Sequence, residues 1–291
     1  MKFITQTLAL LVLLAAGIGF AVTIPRLEDT ADLVGLSGEI GNGEMVFFAS
    51  GCASCHAAPD AEDKSVLSGG ARFVSGFGTF VAPNISQDTT HGIGAWDVQA
   101  FAAAVRQGVS PDGTHYYPAF PYASYANMTD QDLVDLFAFM QTLPSSELPS
   151  QPHELGFPFN IRRSIGVWKA RYASGDWVMA EAADPQMERG RYLVETLGHC
   201  GECHTPRDVL GGLDLANWMG GGPNPSGDGR IPNIRPEALG WTALEITDYL
   251  ESGFTPEFDV AGGSMKAVVE NYAKLPASDR EAVAAYLLEI R

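Results

Sequence analysis

Cysteine is scarce in this chain: four occur in 291 residues. All four fall in two short clusters, which leaves none for a disulfide framework or a spare thiolate ligand. Bases are also few, with 18 Lys and Arg against 35 Asp and Glu and a formal net charge of −17. A field of that sign argues against nucleic acid and anionic lipid as docking surfaces. It suits a basic partner or plain solubility. Alternating apolar and polar positions never run for a useful length, so nothing in the pattern calls for a sheet. Long apolar runs are missing except at the N-terminus.

What is there is a pentapeptide that occurs twice, Cys52-Ala53-Ser54-Cys55-His56 and Cys200-Gly201-Glu202-Cys203-His204. Two sulfurs one helical turn apart can each bond a vinyl group of one haem, and the adjacent histidine is placed to ligate the iron. A zinc-binding cysteine pair with an idle histidine is the competing reading. Two copies, each opening a similar stretch of sequence, make that remote. The expected cofactors are two covalently bound haem c groups held by Cys52, Cys55, His56, Cys200, Cys203 and His204, with His56 and His204 as iron ligands.

The N-terminus reads as a targeting segment. Lys2 precedes a stretch that is apolar without interruption from Leu8 to Val22, and Arg26 follows. Phe3, Ile4 and Ile24 extend it towards the roughly 20 residues a bilayer needs. Gly19-Phe20-Ala21 is a poor small-x-small cleavage site, and one lysine is a weak positive region. An uncleaved anchor is therefore expected over a removed signal peptide. The expected location is the inner membrane, with one N-terminal helix and the acidic bulk in the periplasm.

The remainder is an internal repeat. Gly43 and Gly190 lie nine and ten residues before the first cysteine of each motif. Pro83-Asn84-Ile85 follows Cys52 by 31 residues and Pro232-Asn233-Ile234 follows Cys200 by 32. Trp96 precedes Gly108 by twelve residues, and Trp241 precedes Gly253 by twelve. Each copy closes on a helical pattern, 132–140 and 279–287, with Thr129 and Ser278 as expected caps and Asp132 and Glu281 completing capping-box-like patterns. The expected fold is all-α: two tandem class I cytochrome c-like units after an N-terminal hydrophobic helix. Residues 1–25 are the anchor or signal segment, 38–148 the first haem unit, 149–184 a proline-interrupted linker and 185–291 the second haem unit. Within the linker, residues 160–172 read as partly helical and packed across one or both units.

The sixth iron position separates a carrier from a catalyst: methionine closes it at high potential, whereas an open site admits ligands. Met265, in the Gly262-Gly263-Ser264-Met265 loop, is the expected second ligand. Phe120 falls where the first copy would carry its counterpart. Met128, just before the last helix of that copy, is expected instead, against His115 or an open site. Met219 lies in the wrong region, and Met140 sits on a helix face as core. His91, His153 and His199 carry no expected role. Arg72, Arg207 and Arg235 are candidates to neutralise haem propionates. Trp96, Trp241, Tyr116, Tyr117, Tyr122 and Tyr125 are candidates to pack on the ring or bond to its propionates.

The segments Ala82-Pro83-Asn84-Ile85-Ser86, Gly92-Ile93-Gly94-Ala95-Trp96, Tyr117-Pro118-Ala119-Phe120-Pro121-Tyr122 and Met128-Thr129-Asp130 carry a family likeness, as do Phe157-Pro158-Phe159-Asn160-Ile161-Arg162 and Trp168-Lys169. Through them the chain resembles the membrane-associated multihaem cytochrome c subunits of periplasmic alcohol, sugar and aldehyde dehydrogenases, over roughly residues 40–291. Many such subunits carry three haems and this chain has two motifs; some carry methionine where Phe120 stands. The resemblance implies a non-catalytic protein. It would take electrons from a dehydrogenase partner and pass them to quinone or to a downstream cytochrome or oxidase. The alternative is a dihaem peroxidase with one open iron.

Overall fold

The computed structural model describes residues 2–25, 27, 30–224 and 229–290; Arg26, read above as the flanking charge, lies outside them. Lys2–Val22 forms helix α1, with the side chains of Leu10, Leu13 and Phe20 exposed, but the expected hydrophobic anchor is not borne out. Among the described residues no helix is long and apolar enough to cross a membrane.

The first unit begins with α2 (Ile40–Ala49) and the motif helix α3 (Cys52–His56). A hairpin of β1 (Arg72–Ser75) and β2 (Gly78–Val81) follows, then α4 (Val98–Gln107), the single turn α5 (Tyr122–Tyr125) and α6 (Asp130–Met140). The connector holds β3 (Glu154–Leu155) and α7 (Ile165–Tyr172). The second unit repeats the order: α8 (Pro185–Arg191), the motif helix α9 (Gly201–His204), β4 (Gly222–Pro223), β5 (Arg230–Ile231), α10 (Pro236–Leu239), α11 (Ala243–Ser252), α12 (Met265–Tyr272) and α13 (Ala277–Glu289).

In each unit the first and last helices cross at backbone contact, and glycine is the reason. A β-carbon at Gly43 would stand 2.0 Å from the Asp135 carbonyl oxygen, and one at Gly190 would stand 2.1 Å from that of Ala282. Around the crossings Phe47, Leu133, Leu136 and Met140 are buried in the first unit, and Leu193, Val283, Tyr286 and Leu287 in the second. Each such apolar side chain contributes about 1.5–3 kcal/mol by leaving water. Helices α4 and α11 both end on glycines in the left-handed conformation, Gly108 and Gly253 (φ 60° and 78°), the usual way to close a helix C-terminus. Asp184 caps α8 with Pro185 at its first turn, and the chain then continues into a π-helical stretch over Tyr192–Leu197.

The all-α expectation needs one correction: β1, β2 and β3 form a small antiparallel sheet, and β4 pairs with β5. Strands of two to four residues are too short for a period-two pattern to show. Two cap assignments also change. Thr129 does cap α6, accepting the Asp132 N–H at 3.1 Å. The Asp132 carboxylate, however, turns to Asn42 (2.8 Å) and Tyr192 (2.6 Å) instead of closing a capping box. Ser278 lies inside α13, whose first flanking residue is Pro276. The complete capping box is at α11, between Thr242 and Glu245.

The connector is held at both ends. Lys169 donates to the carbonyls of Gln107 (2.5 Å) and Gly108 (2.7 Å) at the end of α4. On the other side Trp168 donates to the Leu210 carbonyl (3.2 Å) and Tyr172 to Asp208 (2.6 Å). Helix α7 thus bridges both units, as the sequence suggested.

Two candidate haem centres

The motif helices bring each cysteine pair and its histidine to one end of a unit. Gly51, with φ 61°, starts α3. Its counterpart before Cys200 is His199, a non-glycine residue at φ 38°. None of the four cysteines is in a disulfide. Cys55 and Cys203 are accessible, yet burial pushes the Cys55 thiol up to about 11 and raises that of Cys203. Burial holds Cys52 and Cys200 at about 12.

The imidazoles are oriented by backbone carbonyls. His56 Nδ1 lies 2.9 Å from the Pro83 carbonyl oxygen, and His204 Nδ1 lies 3.0 Å from that of Pro232. A carbonyl only accepts, so the proton sits on Nδ1 and the Nε2 lone pair is left for a metal. Outer hydrogen bonds of this kind fix the tautomer and ring orientation of metal-ligating histidines. Burial lowers the pKa of both rings, which favours the neutral, ligating form. The Pro-Asn-Ile segments are pinned in matching ways. Ile85 and Ile234 N–H groups bond to the carbonyls of Leu67 and Met219, both at 3.0 Å. The Gly69 and Gly221 N–H groups bond to the carbonyls of His56 and His204, both at 2.7 Å. Cysteine pairs outside any disulfide and a directed Nε2 fit a covalently held haem in each unit. That group would supply a one-electron iron couple; the protein supplies its ligand, its orientation and its shielding.

The two methionines expected as distal ligands occupy different places in the repeat. The Tyr116 N–H bonds to the Gly108 carbonyl and the Ala261 N–H to that of Gly253. Met265 therefore aligns with Phe120, four residues on in each copy. It is the first residue of α12 and not part of the preceding loop as expected; it is half-buried against the core. Met128 is 3% exposed, and its N–H bonds to the Tyr125 carbonyl just as that of Leu275 bonds to Tyr272. Its counterpart is thus a core leucine. Met219 aligns with Leu67 and is fully buried, and Met140 is core as read. His115 donates from Nε2 to the Thr23 carbonyl at 3.0 Å, so that nitrogen is committed to the end of α1.

The arginine candidates have protein partners. Arg72 pairs with Glu154 at 2.5 Å, Arg207 pairs with Glu202, and Arg235 donates to the Trp218 carbonyl at 2.7 Å. Tyr117 donates to the Phe159 carbonyl (3.0 Å) and Tyr125 to that of Ser50 (3.1 Å). Tyr122 is buried with its hydroxyl unpartnered. Tyr116 lies edge-on to Phe120, and burial raises its hydroxyl to about 12. Trp96 and Trp241 are half-buried against the core, Trp241 edge-on to Tyr249. His91 lies by Asp88 at 3.3 Å. His153, read as idle, accepts the Val81 N–H (3.1 Å) and packs on Phe80 and Tyr117. His199, also read as idle, stands edge-on to the Tyr125 ring at 5.6 Å, between the two units.

Comparison with known proteins agrees with this geometry. The Cytochrome c family model matches residues 40–144. A diheme cytochrome c-type protein of Cereibacter sphaeroides is 53% identical over 291 residues, covering 99% of this chain and 98% of that one. The fructose dehydrogenase cytochrome subunit of Gluconobacter japonicus is 36% identical over 86% of this chain and 52% of its own length. The gluconate 2-dehydrogenase cytochrome c subunit of Pantoea cypripedii is 31% identical over 84% and 58%. The chain thus spans little more than half of those subunits. Its likeness to the first relative, however, runs end to end and includes both haem units, so the chain belongs to the dihaem c-type cytochromes, electron-transfer proteins with two covalently bound haem c groups.

Proposed function

We propose that this cytochrome is a periplasmic conduit, tethered to the inner membrane by α1, that receives electrons from a dehydrogenase and delivers them to quinone or to a downstream cytochrome or oxidase. The observation that carries the reading is the facing of the two haem motifs. Ser54 of the first motif accepts a hydrogen bond from Asn271 of the second unit at 3.0 Å, and Glu202 of the second motif accepts one from Ser124 of the first unit at 3.2 Å. Both haems then belong to one path. The cytochrome subunits of fructose and gluconate dehydrogenases named above supply the analogy for the donor. The uninterrupted apolar run from Leu8 to Val22 supports the tether, and the charge of −17 suits a basic docking face on the partner. Within each centre His56 and His204 would serve as the proximal ligands, and Met128 and Met265 would close the irons.

The test is mild solubilisation of native membranes and recovery through a C-terminal tag. A stoichiometric dehydrogenase large subunit in the eluate is the expected result and names the substrate class. Recovery with a respiratory oxidase alone would replace the donor half of the reading. Recovery from the soluble fraction would overturn the tether.

A further inference from the structure

The two haem motifs meet across a seam with approximate two-fold symmetry. The third residue of each motif is the one that crosses it. Ser54 accepts a hydrogen bond from Asn271 Nδ2 of the second unit at 3.0 Å. Glu202 accepts one from Ser124 Oγ of the first unit at 3.2 Å. Ser124 and Asn271 are themselves counterparts, since each immediately precedes the tyrosine, Tyr125 or Tyr272, that packs behind the motif of its own unit. Tyr125 donates to the Ser50 carbonyl and Tyr272 to that of Leu193 (3.4 Å). The geometry is symmetric and the charge is not. Position 54 is a neutral serine, and position 202 is a carboxylate between the two cysteines that hold the second haem.

The reach of that carboxylate is visible in its neighbours. Glu202 lies between Cys200 and Cys203 in its own motif and meets the first unit through Ser124, at 3.2 Å. Arg207 is its partner: the guanidinium donates to the Glu202 carboxylate, to its backbone carbonyl (2.8 Å) and to the Gly211 carbonyl (2.8 Å). Glu202 and Arg207 side chains are only 16% and 29% exposed, so solvent screens their fields weakly. Local charge is one of the levers that set a haem potential, and a fixed negative charge favours the ferric state.

We infer that Glu202 is a potential-tuning residue: its charge, held on the seam by Ser124 and Arg207, lowers the potential of the haem on Cys200 and Cys203 more than that of the haem on Cys52 and Cys55, and so sets the energy step between them. The residue acts through the irons it faces and takes no part in ligation. The proposal rests on haem attachment alone and holds whichever donor or acceptor the cytochrome serves.

The test is a spectroelectrochemical titration of the full-length holoprotein. The two couples are assigned by following haem methyl resonances linked to Cys203 and Cys55. Glu202→Gln keeps a hydrogen-bond acceptor for Ser124 and removes the charge. The expected result is a positive shift of the second haem, a smaller positive shift of the first and near recovery in Glu202→Asp. Arg207→Gln lies outside the motif and leaves Glu202 unopposed; it is expected to shift the second haem the other way. Unchanged potentials in either charge-removing variant, or a larger shift at the first haem, would overturn the proposal. If Glu202→Gln fails to take up two haems, Arg207→Gln decides alone by the sign of its shift.

Discussion

Gly43 lies beneath Asp135 with no room for a side chain: a β-carbon there would be 2.0 Å from the Asp135 carbonyl oxygen and 2.8 Å from the Phe139 β-carbon. Gly43→Ala must push α2 off α6. Overpacking of this kind costs about 1–3 kcal/mol, and contact with backbone places it at the upper end. Gly190→Ala is expected to do the same in the second unit, where the obstacle is the Ala282 carbonyl. Denaturant unfolding of the holoprotein, followed by far-ultraviolet circular dichroism, reads both. A variant as stable as the parent would mean that the helices do not cross at contact.

The two proximal histidines carry separable predictions. His56→Gly leaves Cys52 and Cys55 to hold the macrocycle, so intact-mass measurement should still find two haems while the low-spin spectrum falls by half. Cys52→Ala with Cys55→Ala should lower the mass by one haem and leave the second centre intact. Loss of both haems from the first-unit variant alone would show that the units do not mature independently.

The methionine assignment separates the centres spectroscopically. Met265→Leu is expected to remove half of the far-red methionine–iron absorption and to let one ferrous iron bind carbon monoxide. Met128→Leu is expected to do the same for the other. If Met128→Leu leaves that absorption whole but lowers stability by about 1 kcal/mol, as a near-isosteric core swap does, then Met128 is packing, like its counterpart Leu275.

Lys169 ties the connector to the end of α4 through two carbonyls, and its ammonium stands 4.5 Å from the Tyr122 ring centroid. Lys169→Ala should cost roughly 1.5–3 kcal/mol per hydrogen bond to a charged group, less what water replaces. The pH dependence has a definite sign. Burial lowers this lysine from 10.5 to about 8, so between those values the folded state binds fewer protons than the unfolded one. Its contribution to stability therefore rises with pH across that window and is flat below it. The alanine variant should lack the slope in thermal unfolding between pH 8 and pH 10.

Motifs with local causes were readable in the chain. The cysteine pairs and their histidines follow from spacing, and the repeat aligns Gly43 with Gly190 and the two Pro-Asn-Ile segments, but neither the helix crossings nor the carbonyl bonds to the histidines can be read from it. Non-local features were not readable. Nothing in Ser54 or Glu202 announces a partner from the other unit, because those contacts span 217 and 78 residues. His199 looked idle because a positive φ and an edge-on tyrosine leave no mark in one dimension. Met265 looked like loop because Gly262 and Gly263 precede it, yet α12 starts there. The short strands left no trace for the reason given above. Ser278 matched a cap pattern that Pro276 pre-empts by starting α13 early.

The seam has a consequence for how such a chain can vary. In a homodimer of single-haem units an interface about a two-fold axis is isologous, and any residue on it is present twice. A carboxylate beside one haem would necessarily stand beside the other, and their effects would cancel in the difference. Covalent duplication lifts that constraint. With both copies in one chain, position 54 can remain serine while position 202 becomes glutamate. A shape that is nearly the same read from either side can then present two different landscapes to an electron.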